Sequence, residues 1–82
     1  MPQSITTQYI EIGSRVLFRL TNGKTFRITI TDSEDAAPER GFIFCESPLG
    51  AALLGRAAGE IISYQVGTHL LEGSVIEVHR GA

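Results

Sequence analysis

Between Arg15 and Thr31, polar and apolar residues alternate in two runs separated by Thr21-Asn22-Gly23. A period of two means strands, and two such runs around a short turn mean a hairpin. In the first run Val16, Phe18 and Leu20 share one side, with Arg15, Leu17 and Arg19 on the other. In the second, Phe26, Ile28 and Ile30 oppose Thr25, Arg27, Thr29 and Thr31. A two-residue Asn22-Gly23 turn would pair Phe18 with Arg27 and set apolar beside polar rows. A three-residue turn, Thr21-Asn22-Gly23, pairs Phe18 with Phe26 and Val16 with Ile28. It also puts Gly23 at the left-handed position that closes such a turn. Because a one-residue slip turns every side chain to the opposite face, burial selects the three-residue turn.

The whole chain is 82 residues, which is one domain, 1–82, with residues 1–8 as a loose lead-in. Tyr9–Ile12 reads as a short strand ending at Gly13, and 32–40 as a polar connection. Phe42–Cys45 is nearly all apolar and is expected at the centre of a sheet. Ser47 is a favoured N-cap and Pro48 is preorganised for a first helical position. Leu49, Ala52 and Leu53 follow at helical spacing, and Gly55 suits the residue just past the helix end. Glu60–Val66 and Ser74–His79 read as two further strands, joined by a loop over 67–73. In the last strand Ile76 and Val78 are expected on one face, with Val75, Glu77 and His79 on the other. The expected fold is α+β: a bent antiparallel sheet of four to five strands, with one short helix between the third and fourth main strands.

Composition narrows the chemistry. Apolar residues make up 43% and charged residues 20% of the chain, as in ordinary globular domains. No apolar run approaches the roughly 20 residues of a membrane span, and Met1-Pro2-Gln3-Ser4 lacks a signal pattern. A cytoplasmic protein with no membrane partner is expected. Seven basic residues against nine acidic ones give a net charge of −2, which disfavours autonomous binding to a polyanion. The single cysteine, Cys45, excludes an internal disulfide. Beside Phe44 and Glu46 it reads as a core thiol, not a nucleophile. His69, His79 and Cys45 match no metal-ligand spacing, and Asp32, Glu34 and Asp35 read as a solvated loop. No catalytic residue, metal or cofactor is expected. Arg15, Arg19 and Arg27 form a basic strip on the polar face of the hairpin, read as an exposed sheet face.

The stretch from Cys45 to Glu60 carries a more specific pattern: an acidic-Ser-Pro step (Glu46-Ser47-Pro48), a short Leu/Ala helix, then Gly55-Arg56-Ala57-Ala58-Gly59-Glu60. This resembles the C-terminal domain of the bacterial GreA/GreB transcript-cleavage factors. Gly13-Ser14-Arg15-Val16 resembles the opening strand of the same family, and the likeness extends over about residues 9 to 79. The resemblance implies an FKBP-like fold that docks on RNA polymerase at the rim of its secondary channel. It assigns the contact surface to Glu46, Ser47 and Pro48, with Leu49 beside them. Gre factors also carry an N-terminal coiled coil whose acidic tip supports transcript cleavage, and no heptad pattern fits the residues before this domain. The expectation is therefore a polymerase-binding module without cleavage-stimulating residues, or a fragment of a longer protein, meeting nucleic acid only through the polymerase. Self-association through the Tyr9–Ile12 strand is a further expectation. Two alternatives stand beside it. One is an FKBP-like prolyl isomerase or peptide-binding module, favoured by a deep apolar pocket opposite the helix. The other is a small nucleic-acid binder using Arg15, Arg19 and Arg27.

Overall fold

The fold is described by a computed structural model covering residues 8–80. The elements are β1 (Arg15–Leu20), β2 (Thr25–Thr31), a 3-10 turn (Pro38–Arg40), β3 (Phe42–Phe44), α1 (Pro48–Leu53), β4 (Ile61–Val66) and β5 (His69–His79). The strands form one sheet in the order β3-β2-β1-β5-β4, with α1 packed over β4 and β3. The helix therefore lies between the third and fourth strands in sequence, as expected.

The first hairpin has the register selected by burial: Val16 pairs with Ile28 and Phe18 with Phe26. Leu20 N donates to Lys24 O at 2.8 Å and Gly23 N to Leu20 O at 2.9 Å, closing the three-residue turn. Gly23 has a φ of +95°, a conformation that a side chain at this position would strain. Val16, Phe18, Ile28 and Ile30 are buried together with Ile62, Val75, Ile10, Cys45 and Leu53 of α1. The alternating residues Arg15, Leu17, Arg27 and Thr29 consequently form the outer face, away from the helix. At the start of β1 the buried Ser14 accepts a hydrogen bond from Glu11 N at 2.9 Å through its Oγ. Its polar atom is thus satisfied inside the core.

Three features depart from the expected arrangement. First, β3 lies at the sheet edge and runs parallel to β2, pairing Thr29 with Phe42 and Thr31 with Phe44. The connection over 32–41, with its 3-10 turn, returns the chain to the same end of the sheet, which a parallel pair requires. Its apolar run marks contact with the core and α1; Phe42 stays 44% exposed.

Second, β4 and β5 are joined by Gly67-Thr68 alone, since Val66 pairs with His69. Gly73 is an interior strand residue and not a loop end. Third, the β1–β5 register shifts between Leu17 and Phe18, so that Phe18 faces Val75 while Leu17 faces Glu77. The extra residue, Ile76, is turned outward at 37% exposure. This bulge lets Val75 and Val78 both face the core, against simple alternation.

The Tyr9–Ile12 segment, expected as a short strand, instead makes a single isolated bridge among the described residues, Tyr9 to Ala57. Ile10 is tied to the helix exit by Ile10 N to Arg56 O and Gly55 N to Ile10 O, both 2.8 Å.

Tyr64 packs its ring against Phe18, with centroids 6.1 Å apart at 58°, within the range of tilted aromatic pairs. Burial raises the pKa of its hydroxyl above the ordinary tyrosine value. The folded state thus holds this proton more tightly than the unfolded chain, and stability is lost as pH rises through the folded pKa. Urea unfolding across pH 8–11 is expected to show a decline above about pH 10 that the Tyr64→Phe variant reduces.

Candidate partner-binding site

The acidic-Ser-Pro step forms the corner between β3 and α1. Ser47 is the N-cap of the helix. Its Oγ accepts from Gly50 N at 3.1 Å and donates to Phe44 O at 2.7 Å. Ser47 N adds a bond to Phe44 O at 3.0 Å, and Ala51 N bonds Ser47 O at 2.8 Å. One hydroxyl therefore joins the strand end to the first helical turn, satisfying a donor that a helix start otherwise leaves open. Pro48 fixes the first helical φ, where no backbone donor is required. Glu46 and Pro48 are exposed, Ser47 and Leu49 half-buried. Leu49 packs on the core cluster, so its main contact is with the domain itself. The result is a rigid corner displaying a carboxylate and a proline ring.

The helix sits close to the strand because position 50 has no side chain. A Cβ on Gly50 would run into Phe44 O and come within 2.9 Å of Cys45 Cα. At the other end Leu54 caps the helix through its N–H to Gly50 O, and Gly55 follows with a φ of +83°.

The basic strip divides. Arg15 and Arg27 line a cleft of about 400 Å3 on the outer face of the sheet, whereas Arg19 lies outside it. Arg40, not singled out from sequence, and His79, considered there only as a metal ligand, also line it. Arg40 arrives there because Thr29 N donates to Gly41 O at 2.7 Å, holding the end of the 3-10 turn against β2. His79 arrives because it pairs with Arg15 across β1 and β5. Neither position is marked in the sequence: one follows from a crossover, the other from the bulge register. This cleft lies on the sheet face away from the helix, and Arg15, Arg27 and Arg40 share its lining with Val16, Leu17 and Ile28.

His69 and His79 are exposed at the two ends of β5 and Cys45 is buried beneath α1. Among the described residues, no group of three or more His, Cys, Asp or Glu side chains converges. None of the described helices is long and apolar enough to cross a membrane.

The family model for the C-terminal domain of the transcription elongation factors GreA/GreB matches residues 5–80. The chain belongs to that family. The Gre-type assignment is supported by full-length relatives. It is 38% identical over 77 residues to transcription elongation factor GreA of Clostridioides difficile, covering 93% of this chain and 48% of that protein. It is 34% identical over 79 residues to GreA of Caldanaerobacter subterraneus, covering 95% and 50%. Among solved structures it matches Gfh1 of Thermus aquaticus with a TM-score of 0.77 at 26% identity, over 90% of this chain and 50% of that one. The chain thus spans about half the length of the curated relatives it matches.

Proposed function

We propose that this GreA/GreB C-terminal domain binds RNA polymerase near the secondary channel and regulates transcription by occupying that site. Glu46, Ser47 and Pro48 form the contact surface, and Leu49 supports it from the core side. The domain supplies docking, and no step of the reading needs bond chemistry from its residues. The observation carrying this reading is the corner itself. A hydroxyl bonded on both sides and a proline at the first helical position hold Glu46 and Pro48 outward. A preorganised contact loses little conformational freedom on binding.

The test is retention of core RNA polymerase by the immobilised chain, with a full-length Gre factor added as competitor. Competed retention is expected. Glu46→Lys and Pro48→Ala should each weaken binding about tenfold, the size of a moderate interface hot spot at about 1.4 kcal/mol. Their unfolding midpoints should remain near that of the parent, because both side chains are exposed. A folded chain that retains no polymerase overturns the docking reading. Retention that a Gre factor does not compete places docking elsewhere on the enzyme.

A further inference from the structure

We propose that the cleft between Arg15, Arg27 and Arg40 binds a phosphorylated small molecule of nucleotide size. The inference is independent of polymerase docking. The cleft opens on the outer face beside the start of β3, whereas the Glu46–Pro48 corner lies beyond the end of that strand.

Charge pairing is the first argument. Arg15 is opposite Thr29 and Arg27 opposite Leu17, so the two arginines are diagonal neighbours on one face, about 7–8 Å apart. Arg40 adds a third guanidinium from the 3-10 turn. Like charges gathered on one sheet face repel. Among the described residues, none of these three takes part in an ion pair, while Arg56 and Arg80 are paired with Glu60 and Glu11. The lining has one carboxylate, Glu77, and its Oε1 lies 2.9 Å from His79 Nε2. Three guanidinium groups thus share the cleft with a single carboxylate, which leaves its lining with an excess of positive charge. Guanidinium groups arranged this way suit phosphate, which accepts two parallel hydrogen bonds from each.

Size and surroundings select the kind of phosphate. At about 400 Å3 the cleft falls within the range of small-molecule sites. Leu17 contributes apolar surface and Thr29 a hydroxyl to its lining, which gives an organic moiety something to rest on. A long nucleic acid fits less well, because the chain as a whole carries a charge of −2 and counterion release favours an extended basic surface. A compact anion responds chiefly to the local field.

The full chain is titrated with ADP, GDP, pyrophosphate and adenosine by calorimetry, with backbone amide shifts recorded in parallel. Saturable binding of ADP or GDP is expected, with shifts at Arg15, Arg27 and Gly41. Pyrophosphate and adenosine should each bind at least about tenfold more weakly, since each offers half of the recognised chemistry. Arg15→Gln and Arg27→Gln should each weaken nucleotide binding about tenfold with an unchanged unfolding midpoint, and Arg19→Gln should leave it unaltered. The absence of saturation by either nucleotide at millimolar concentration overturns the proposal. Equal affinity for pyrophosphate and nucleotide also overturns it, by reducing the cleft to a bare anion site. Tighter, steeply salt-dependent binding of a single-stranded oligonucleotide would replace the small molecule with a strand.

Discussion

The Gly50→Ala variant is expected to lose about 3 kcal/mol of stability, at the upper end of typical overpacking costs. The sign is the point, since glycine to alanine inside an exposed helix ordinarily gains about 1 kcal/mol. Here the added carbon would collide with Phe44 O and approach Cys45 Cα to 2.9 Å and Phe44 C to 3.0 Å. All three are backbone atoms, so no side-chain rotation relieves the contact. Phe44 O also accepts both the hydroxyl and the N–H of Ser47, so moving it away disturbs the N-cap. A domain of this size has a total stability of about 4–12 kcal/mol, and urea unfolding will resolve the loss readily. Polymerase retention should fall with it, even under conditions where the variant is folded, because the displaced atoms hold the Glu46–Pro48 corner. A variant more stable than the parent would show that the helix does not approach the strand this closely.

The features legible in the sequence were those set by local rules. The hairpin register followed from the pleat and from Gly23, and Val16–Ile28 and Phe18–Phe26 pair as expected. The helix start followed from Ser47 and Pro48 and its end from Gly55. The acidic-Ser-Pro step was readable as a motif, and the structure adds the hydroxyl bridge that makes it rigid. What was not legible depends on partners distant in sequence. An all-apolar Phe42–Cys45 run looks central, yet burial by a helix and a core leaves the same trace as burial by flanking strands. Alternation puts Ile76 on one face with Val78 and Val75 on the other, because a bulge is invisible in a single strand's pattern. The cleft was half legible: Arg15 and Arg27 share a face by period two, but Arg40 joins them by a crossover and His79 by the β1–β5 register.

Gly73 was the most misleading residue, and it carries the second large effect. Glycine after Leu70-Leu71-Glu72 reads as the end of a loop, yet Gly73 lies within β5, opposite Leu20 on one side and Ile62 on the other. A Cβ there would sit 2.5 Å from both Arg19 O and Phe18 Cζ. Phe18 is fully buried at 0% exposure, so its ring has no free space to enter. Gly73→Ala should therefore cost about 3 kcal/mol. In a domain this short that lowers the melting temperature by more than about 10 °C, at about 4–8 °C per kcal/mol. Phe18→Leu removes the ring tip but leaves Arg19 O in place. The double variant Phe18→Leu/Gly73→Ala should accordingly be more stable than the sum of the two losses predicts, by about 1 kcal/mol. Strict additivity would mean that the strain rests on the β1 backbone alone. A neutral Gly73→Ala would mean that β5 lies farther from β1 than the register allows. Where the coupling is found, Gly73 is glycine because the largest core side chain of β1 occupies the space where its own would be.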